Sequence, residues 1–285
     1  MSSSFGYYPP QVSNNGFTRT KTISVTSGKG GVGKTTFLVN LSKALANLGK
    51  KVLILDGDFG MANVDIMFGN YSKSSLYDVV EGKKHLVEVI SNVSKNIDLI
   101  PGGSGVYEAQ NLTSAQRYIL LNEVSELEKK YDYFILDTAP GISDNVLYLN
   151  SSVEEIMLIL TPDPSSMADA YALIKVLNTR CKTKEINIIC NMVKSEMQAI
   201  NLYNKLSDIA DQFLNIRLHY KGHISEDLNL RHCTQNRRLV LDQFPKSLSS
   251  QSITKIAEKL VGYPKEEVPC GGLQFFWSHL FSVAS

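Results

Sequence analysis

Clustered cysteine and excess charge are both missing from this 285-residue sequence. Its four cysteines are far apart and form no Cys-x-x-Cys pair: Cys181, Cys190, Cys233 and Cys270. That scatter argues against a disulfide framework and against a metal or iron–sulfur centre. The net charge is only +1, so no overall field attracts nucleic acid, and any such contact would need a local basic patch.

Long apolar runs are missing too. No stretch approaches the roughly 20 apolar residues of a membrane-spanning helix, and the N-terminus has no basic-then-apolar signal segment. These absences predict a cytoplasmic protein. With 43% hydrophobic and 20% charged residues, the chain has enough apolar material for one large domain with a sizeable core.

Three parts are expected along the chain. Residues 1–20 are rich in Ser, Asn, Gly and Pro and predict a flexible arm. Over residues 21–264, apolar runs such as KVLILD, YFILDTA and EIMLIL alternate with helical patterns, which predicts one α/β domain with a mostly parallel, doubly wound β-sheet flanked by helices. Residues 265–285 predict a linker and a C-terminal amphipathic helix.

The stretch TSGKGGVGKTT, Thr26 to Thr36, lies between a strand-like run and a helical pattern, as a phosphate-binding loop requires. Its glycines allow backbone N–H groups to point at phosphate oxygens, and the helix N-terminus adds positive charge. We expect Lys34 to neutralise the β- and γ-phosphates, Thr35 to bind Mg²⁺ and Thr36 to bind the α-phosphate. The predicted ATP-binding residues are Gly28, Lys29, Gly30, Gly31, Val32, Gly33, Lys34, Thr35 and Thr36. A structural turn that binds nothing is the alternative.

The early lysine of this loop, Lys29, is unusual. The run GKGGVGKTT resembles the deviant Walker A motif of the MinD/ParA family of ATPases, in which this lysine reaches the nucleotide of a second subunit. The resemblance covers residues 21–264 and implies a P-loop ATPase that forms a homodimer when it binds ATP. It also makes Lys29 a catalytic candidate. The alternative is an ordinary solvated lysine on a loop.

Two acids, Asp56 and Asp58, follow the apolar run of LILDGDFGMANVD. This segment resembles switch I of the family, in which the second acid orients the attacking water and belongs to the metal site, and that role falls on Asp58. Asn63 and Asp65 resemble switch and dimer-contact positions. The alternative is that these acids only cap a turn.

Another apolar run ends at Asp137 in YFILDTAPGISD. Asp137 resembles the Walker B acid, which holds the Mg²⁺ shell, and Pro140 and Gly141 occupy the switch II region. The resemblance implies slow ATP hydrolysis by positioning and charge stabilisation, through Lys34, Mg²⁺ and Lys29 of a second subunit.

Base recognition falls on Asn191, at the end of INIICN. It resembles the family position whose amide pairs with adenine, because an amide offers both a donor and an acceptor. A strand-end Asn that caps a turn is the alternative.

The segment TPDPSSMADAYALIKVL, Thr161 to Leu177, resembles the MinD-like regulators of flagellar number and placement, the FlhG/FleN group. This implies flagellar regulatory or assembly proteins as partners. Residues 1–20 contain nothing like the short N-terminal motif with which many members of that group stimulate a GTPase.

The run LQFFWSHLFSVAS predicts a short helix with an apolar stripe, too short to span a bilayer. The stripe consists of Leu273, Phe276, Trp277, Leu280 and Phe281. We expect this stripe to bind the inner face of the cell membrane reversibly. It could instead pack on its own domain, or hide in a groove until ATP dimerises the protein.

Two other functions stay open. A ParA-like partitioning ATPase would bind DNA nonspecifically through a basic segment that contains Arg217, Lys221, Arg231, Arg237, Arg238 and Lys246. A protein that uses nucleotide only to switch a partner interaction would hydrolyse little ATP.

Overall fold

A computed structural model of the chain describes residues 19–58, 63–72, 74–102, 114–128, 130–262 and 272–282. Most of the predicted N-terminal arm and of the predicted linker lies outside these residues. The three predicted domain boundaries therefore stay predictions.

The centre of the fold is an eight-stranded sheet with the order β3-β4-β2-β5-β1-β6-β7-β8. All strand pairs in the described residues are parallel except β3 with β4, which confirms the predicted α/β class. The strands are β1 Lys21–Thr26, β2 Val52–Gly57, β3 Ser91–Ser94, β4 Ile97–Ile100, β5 Tyr133–Thr138, β6 Glu155–Leu160, β7 Glu185–Val193 and β8 Arg217–Ser225.

Helices connect these strands and cover the sheet. The described helices are α1 Lys34–Asn47, α2 Val64–Met67, α3 Leu76–Val80, α4 Leu86–Val89, α5 Ser114–Glu128, α6 Asp144–Ser151, α7 Pro164–Cys181, α8 Glu196–Phe213, α9 Leu228–Gln235, α10 Val240–Gln243, α11 Leu248–Gly262 and α12 Leu273–Ser282. The central strands β2 and β5 are buried at every position, because both of their faces are covered, and this is why their sequences are nearly continuous apolar runs.

The strand register brings the chemistry-bearing residues to one edge of the sheet. β5 lies between β1 and β2, with Asp137 paired to Val25 on one side and to Asp56 on the other. The loop after β1 therefore begins next to both acids. Open α/β sheets bind their ligands at this carboxyl edge.

The C-terminal helix α12 packs into the hydrophobic core. Leu273, Phe276 and Trp277 are fully buried, and the Phe276 ring lies 4.9 Å from that of Phe134 on β5, measured between centroids. The carboxylate of Glu128, at the end of α5, accepts hydrogen bonds from the first backbone N–H groups of α12, which would otherwise have no partner in the helix.

This packing is one of the arrangements that the sequence left open for the apolar stripe. The side chains of Leu280 and Phe281 lie outside the described part of the chain. No helix among the described residues is both long enough and apolar enough to cross a bilayer.

Candidate nucleotide site

The loop between β1 and α1 has the backbone of a phosphate cradle. Gly31 and Gly33 have φ angles of 80° and 87°, in the left-handed region that only glycine adopts at little cost. Gly28 faces another constraint, because a Cβ there would lie 2.3 Å from the backbone carbonyl of Asp169. The glycines therefore permit both the turn and its close packing against α7.

Lys34 and Thr35 meet the Walker B candidate at the start of α1. Lys34 Nζ lies 2.6 Å from Asp137 Oδ1, and Thr35 Oγ1 donates to Asp137 Oδ2 over 2.7 Å. Asp137 is almost fully buried, and burial raises its pKa while Lys34 opposes the rise. A cation, a hydroxyl and a carboxylate at one point fit a triphosphate with Mg²⁺, which prefers oxygen ligands.

Asp56 is a site residue to which the sequence interpretation gave no role. Its Oδ1 accepts the backbone N–H of Asp58 over 3.2 Å, and its Oδ2 accepts those of Asn63 and Val64 over 3.1 and 3.2 Å. Both ends of the predicted switch I segment are thus bonded to one carboxylate. Burial, and then the nearby charge of Asp137, raise the pKa of Asp56 to about 7.

The other switch I candidates lie around this carboxylate. Asp58 follows β2 and is close enough to Asp137 for its charge to contribute to the raised pKa of that acid. Asn63 precedes α2, and the Asp65 carboxylate accepts the backbone N–H groups of Ile66 and Ser72. Asp65 therefore stabilises the local turn. Its predicted dimer contact stays a prediction.

The predicted switch II residues contact the phosphate loop. Gly141, with φ of 97°, donates its backbone N–H to the carbonyl of Ser27 over 2.9 Å. Pro140 lies against Gly30. A change in the loop on nucleotide binding would therefore reach this segment directly.

The structure gives Lys29 a partner within its own subunit. Its Nζ lies 2.6 Å from Asp163 Oδ2 and also contacts Ser165 Oγ. Asp163 caps the N-terminus of α7 by accepting the backbone N–H of Ser165, and its bond to Lys29 lowers its pKa. Sequence reasoning missed this residue, although it lies inside the quoted TPDPSS run.

Asn191 lies beside the loop, and its amide is hydrogen-bonded to backbone groups. Nδ2 donates to the carbonyl of Val32 over 2.8 Å, and Oδ1 accepts the backbone N–H of Met192 over 2.9 Å. These two bonds use one of the two N–H hydrogens and one of the two oxygen lone pairs of the Asn191 amide. Pairing with adenine stays a prediction for this residue.

A cavity of about 320 Å³ lies next to the phosphate loop. Its volume is at the lower end of the range for small-molecule sites. It is lined by Lys29, Gly30, Gly31, Val32, Thr161, Pro162, Asp163, Met192, Lys194 and Gln198.

Comparison with known proteins agrees with this geometry. Residues 20–192 match a family described as an AAA domain. The chain is 38% identical over 258 residues to the antiactivator FleN of Pseudomonas aeruginosa, covering 90% of this chain and 92% of that protein. It is 34% identical over 266 residues to the flagellum site-determining protein YlxH of Helicobacter pylori, covering 92% and 90%.

A solved relative is the septum site-determining protein MinD of Pyrococcus horikoshii in complex with Mg-ADP. It is 28% identical, with a TM-score of 0.64, and the match covers 87% of this chain and all of that one. The phosphate loop between β1 and α1 and the acids at the carboxyl edge of the sheet agree with these matches. The chain belongs to the AAA-domain family of MinD/ParA-type ATPases and is itself an ATPase.

Proposed function

We propose that this ATPase is a dimerising switch that regulates flagellar number and placement through partner proteins and visits the membrane. The observation that carries the proposal is the second loop lysine, Lys29, on the exposed rim of a phosphate loop. The similarity to FleN and YlxH supports the flagellar role.

Lys34, Thr35 and Asp137 would hold ATP and Mg²⁺. Bound Mg²⁺ would neutralise charge that develops on the phosphate oxygens. Lys34 would leave Asp137 for the phosphates, and Thr35 would turn its hydroxyl to the metal. Asp58 would orient the attacking water, and the hydrogen bond from its backbone N–H to Asp56 would hold Asp58 in place. Positioning of this kind is consistent with slow hydrolysis.

Dimerisation requires Lys29 to exchange partners. The Lys29 and Asp163 side chains are 39% and 48% exposed, and exposed ion pairs are weak because water and salt screen them. The triphosphate of a facing subunit carries more negative charge than one carboxylate. It would therefore compete successfully for Lys29.

Membrane binding requires α12 to leave the core, because the described residues of its apolar stripe, Leu273, Phe276 and Trp277, are buried. Exposing a large apolar side chain costs about 1.5–3 kcal/mol, so release needs an apolar acceptor such as a bilayer interface. Two helices on one dimer would bind with an avidity about 10²–10⁴ above that of one.

The dimer is tested by replacing Lys29 with Ala. K29A should bind ATP as a monomer and fail to dimerise in sedimentation velocity with ATP. Lys95→Ala, between β3 and β4 and away from the loop, is the control and should dimerise normally. A K29A protein that still dimerises with ATP would contradict the proposed exchange.

The membrane step is tested with Trp277, the only tryptophan of the chain. Because Trp277 is already buried, a blue shift alone would not report lipid binding. We would measure quenching by brominated lipids together with liposome flotation, in ATP and in ADP. Quenching and flotation in ATP alone are expected. Absence of both in either nucleotide would mean that α12 stays in the core.

A further inference from the structure

An exposed apolar patch lies at the β8 end of the sheet. Leu228, at the start of α9, is 80% exposed, and Leu248, at the start of α11, is 62% exposed. Phe244, between them in the chain, is 38% exposed. Single exposed apolar residues are ordinary, but a group of large ones at one place is typical of an interaction site.

Hydrogen bonds join the two chain segments that carry Leu228 and Leu248. Asp227 Oδ2, next to Leu228, accepts the backbone N–H of Ser249 over 3.0 Å and its hydroxyl over 2.7 Å. Ser249 follows Leu248 directly. The Phe244 carbonyl accepts the hydroxyl of Ser250 over 2.8 Å. The backbone segments that carry the apolar side chains are therefore fixed by hydrogen bonds. Because these segments are already ordered, the entropy cost of binding is lower.

The charges around the patch are mainly positive. Arg231 follows Leu228 by three residues on α9, Lys246 lies between Phe244 and Leu248 in the chain, and both are exposed, as are Arg237 and Arg238. The exposed acid Glu226 precedes Leu228 by two residues. The nearby acid Asp242 is paired with Lys43 over 2.9 Å. Such a surface attracts an acidic partner.

This patch is also joined to the nucleotide-binding elements. Arg237 donates to the hydroxyl of Tyr71, just after α2, over 2.8 Å. The backbone N–H of Val240 donates to Asn40 on α1 over 3.0 Å. A movement of α1 or of the segment after switch I would therefore displace residues next to the patch.

We propose that Leu228, Phe244 and Leu248, together with the nearby exposed cations Arg231, Arg238 and Lys246, form a docking surface for an acidic amphipathic segment of a partner protein. The apolar residues would receive the apolar face of that segment, and the cations would receive its carboxylates. A nucleic acid would use the cations but gain little from leucine side chains. The inference rests on the proposed function only for the existence of a protein partner.

The test uses the full chain and a synthetic helix-forming peptide with Leu on one face and Glu on the other. Binding is measured by fluorescence anisotropy, against a peptide in which Lys replaces Glu and against duplex DNA of random sequence. The acidic peptide should bind, and more weakly as salt rises. Leu228→Ser and Leu248→Ser should each weaken it about tenfold or more, and Arg231→Glu with Arg238→Glu should abolish it.

Control variants are Val87→Ser and Lys95→Glu, an exposed apolar residue and an exposed lysine near the opposite edge of the sheet. Both should bind the peptide normally. ATP-dependent dimerisation is measured on every variant, so failure of the docking surface is separable from failure of the switch.

Three results would overturn the proposal. One is no binding of the acidic peptide to the native chain. Another is binding of DNA alone, lost in the arginine variants and unchanged by the leucine variants. The third is self-association in solution that Leu228→Ser abolishes, since the surface would then join two copies of this chain.

Discussion

Replacement of Phe276 by Ala tests whether α12 belongs to the core in solution. Phe276 is fully buried, and its ring lies 4.9 Å from Phe134 and 5.5 Å from Trp277 between centroids. Truncating a buried Phe removes its transfer free energy and leaves a cavity, at a cost of about 3–5 kcal/mol. The loss of unfolding free energy has an upper limit, because a variant in which α12 undocks cannot lose more than the free energy with which α12 docks.

The adjacent Phe275 is a matched control, since it is 37% exposed on the other side of the helix. Phe275→Ala should cost under about 1 kcal/mol. Both variants would be measured by urea unfolding followed by circular dichroism, without nucleotide, and compared at equal m-values. Equal, small losses for the two variants would refute the packing of α12 in the ligand-free protein.

Three further predictions concern the carboxylates. Asp56→Ala should lower kcat about 10–100-fold with little change in ATP affinity, because the loop that holds Asp58 is displaced; in single-turnover assays, adding Asp56→Ala to Asp58→Ala should cause no further loss. Asp163→Asn keeps an N-cap acceptor but removes the charged partner of Lys29, which keeps only its contact with Ser165. Sedimentation with ATP should therefore give a tighter dimer, and an unchanged or weaker dimer would contradict the exchange. The pKa of Asp56 is raised in the folded state, so the native fold binds its proton more tightly than the unfolded chain does, and this contribution to stability declines as pH rises from about 4 to 7. As pH rises from 5 to 7, the free energy of unfolding of Asp56→Asn should therefore rise by about 2–3 kcal/mol relative to that of the native chain, measured by urea unfolding without nucleotide.

Much of the site could be predicted from local pattern. A glycine loop between a strand and a helix specifies its own geometry, because the φ angles and the helix N-terminus are set by neighbouring residues. Apolar runs that end in acids, together with the family resemblance, likewise predicted that Asp58 and Asp137 belong to the metal site. Parallel strands place their carboxyl ends at one edge, and the register of β2 with β5 brings these ends together.

Contacts between distant segments could not be predicted in this way. Asp163 is 134 positions from Lys29, and no local pattern relates an N-cap of α7 to the rim of the phosphate loop. The role of Asp56 depends on where the chain returns after the switch I segment. The resemblance predicted that the amide of Asn191 pairs with adenine, and nothing in the sequence indicated its hydrogen bond to the backbone carbonyl of Val32.

The C-terminal helix α12 shows what the sequence determined and what only the tertiary structure decided. Its sequence determined that one face is apolar, since spacing alone places Leu273, Phe276 and Trp277 on one side of a helix. An apolar face is equally suited to a bilayer and to a protein core, because the hydrophobic effect is non-directional. Only the tertiary structure decided that Phe134 lies within reach and that Glu128 can cap the first turn, and so placed this helix in the core.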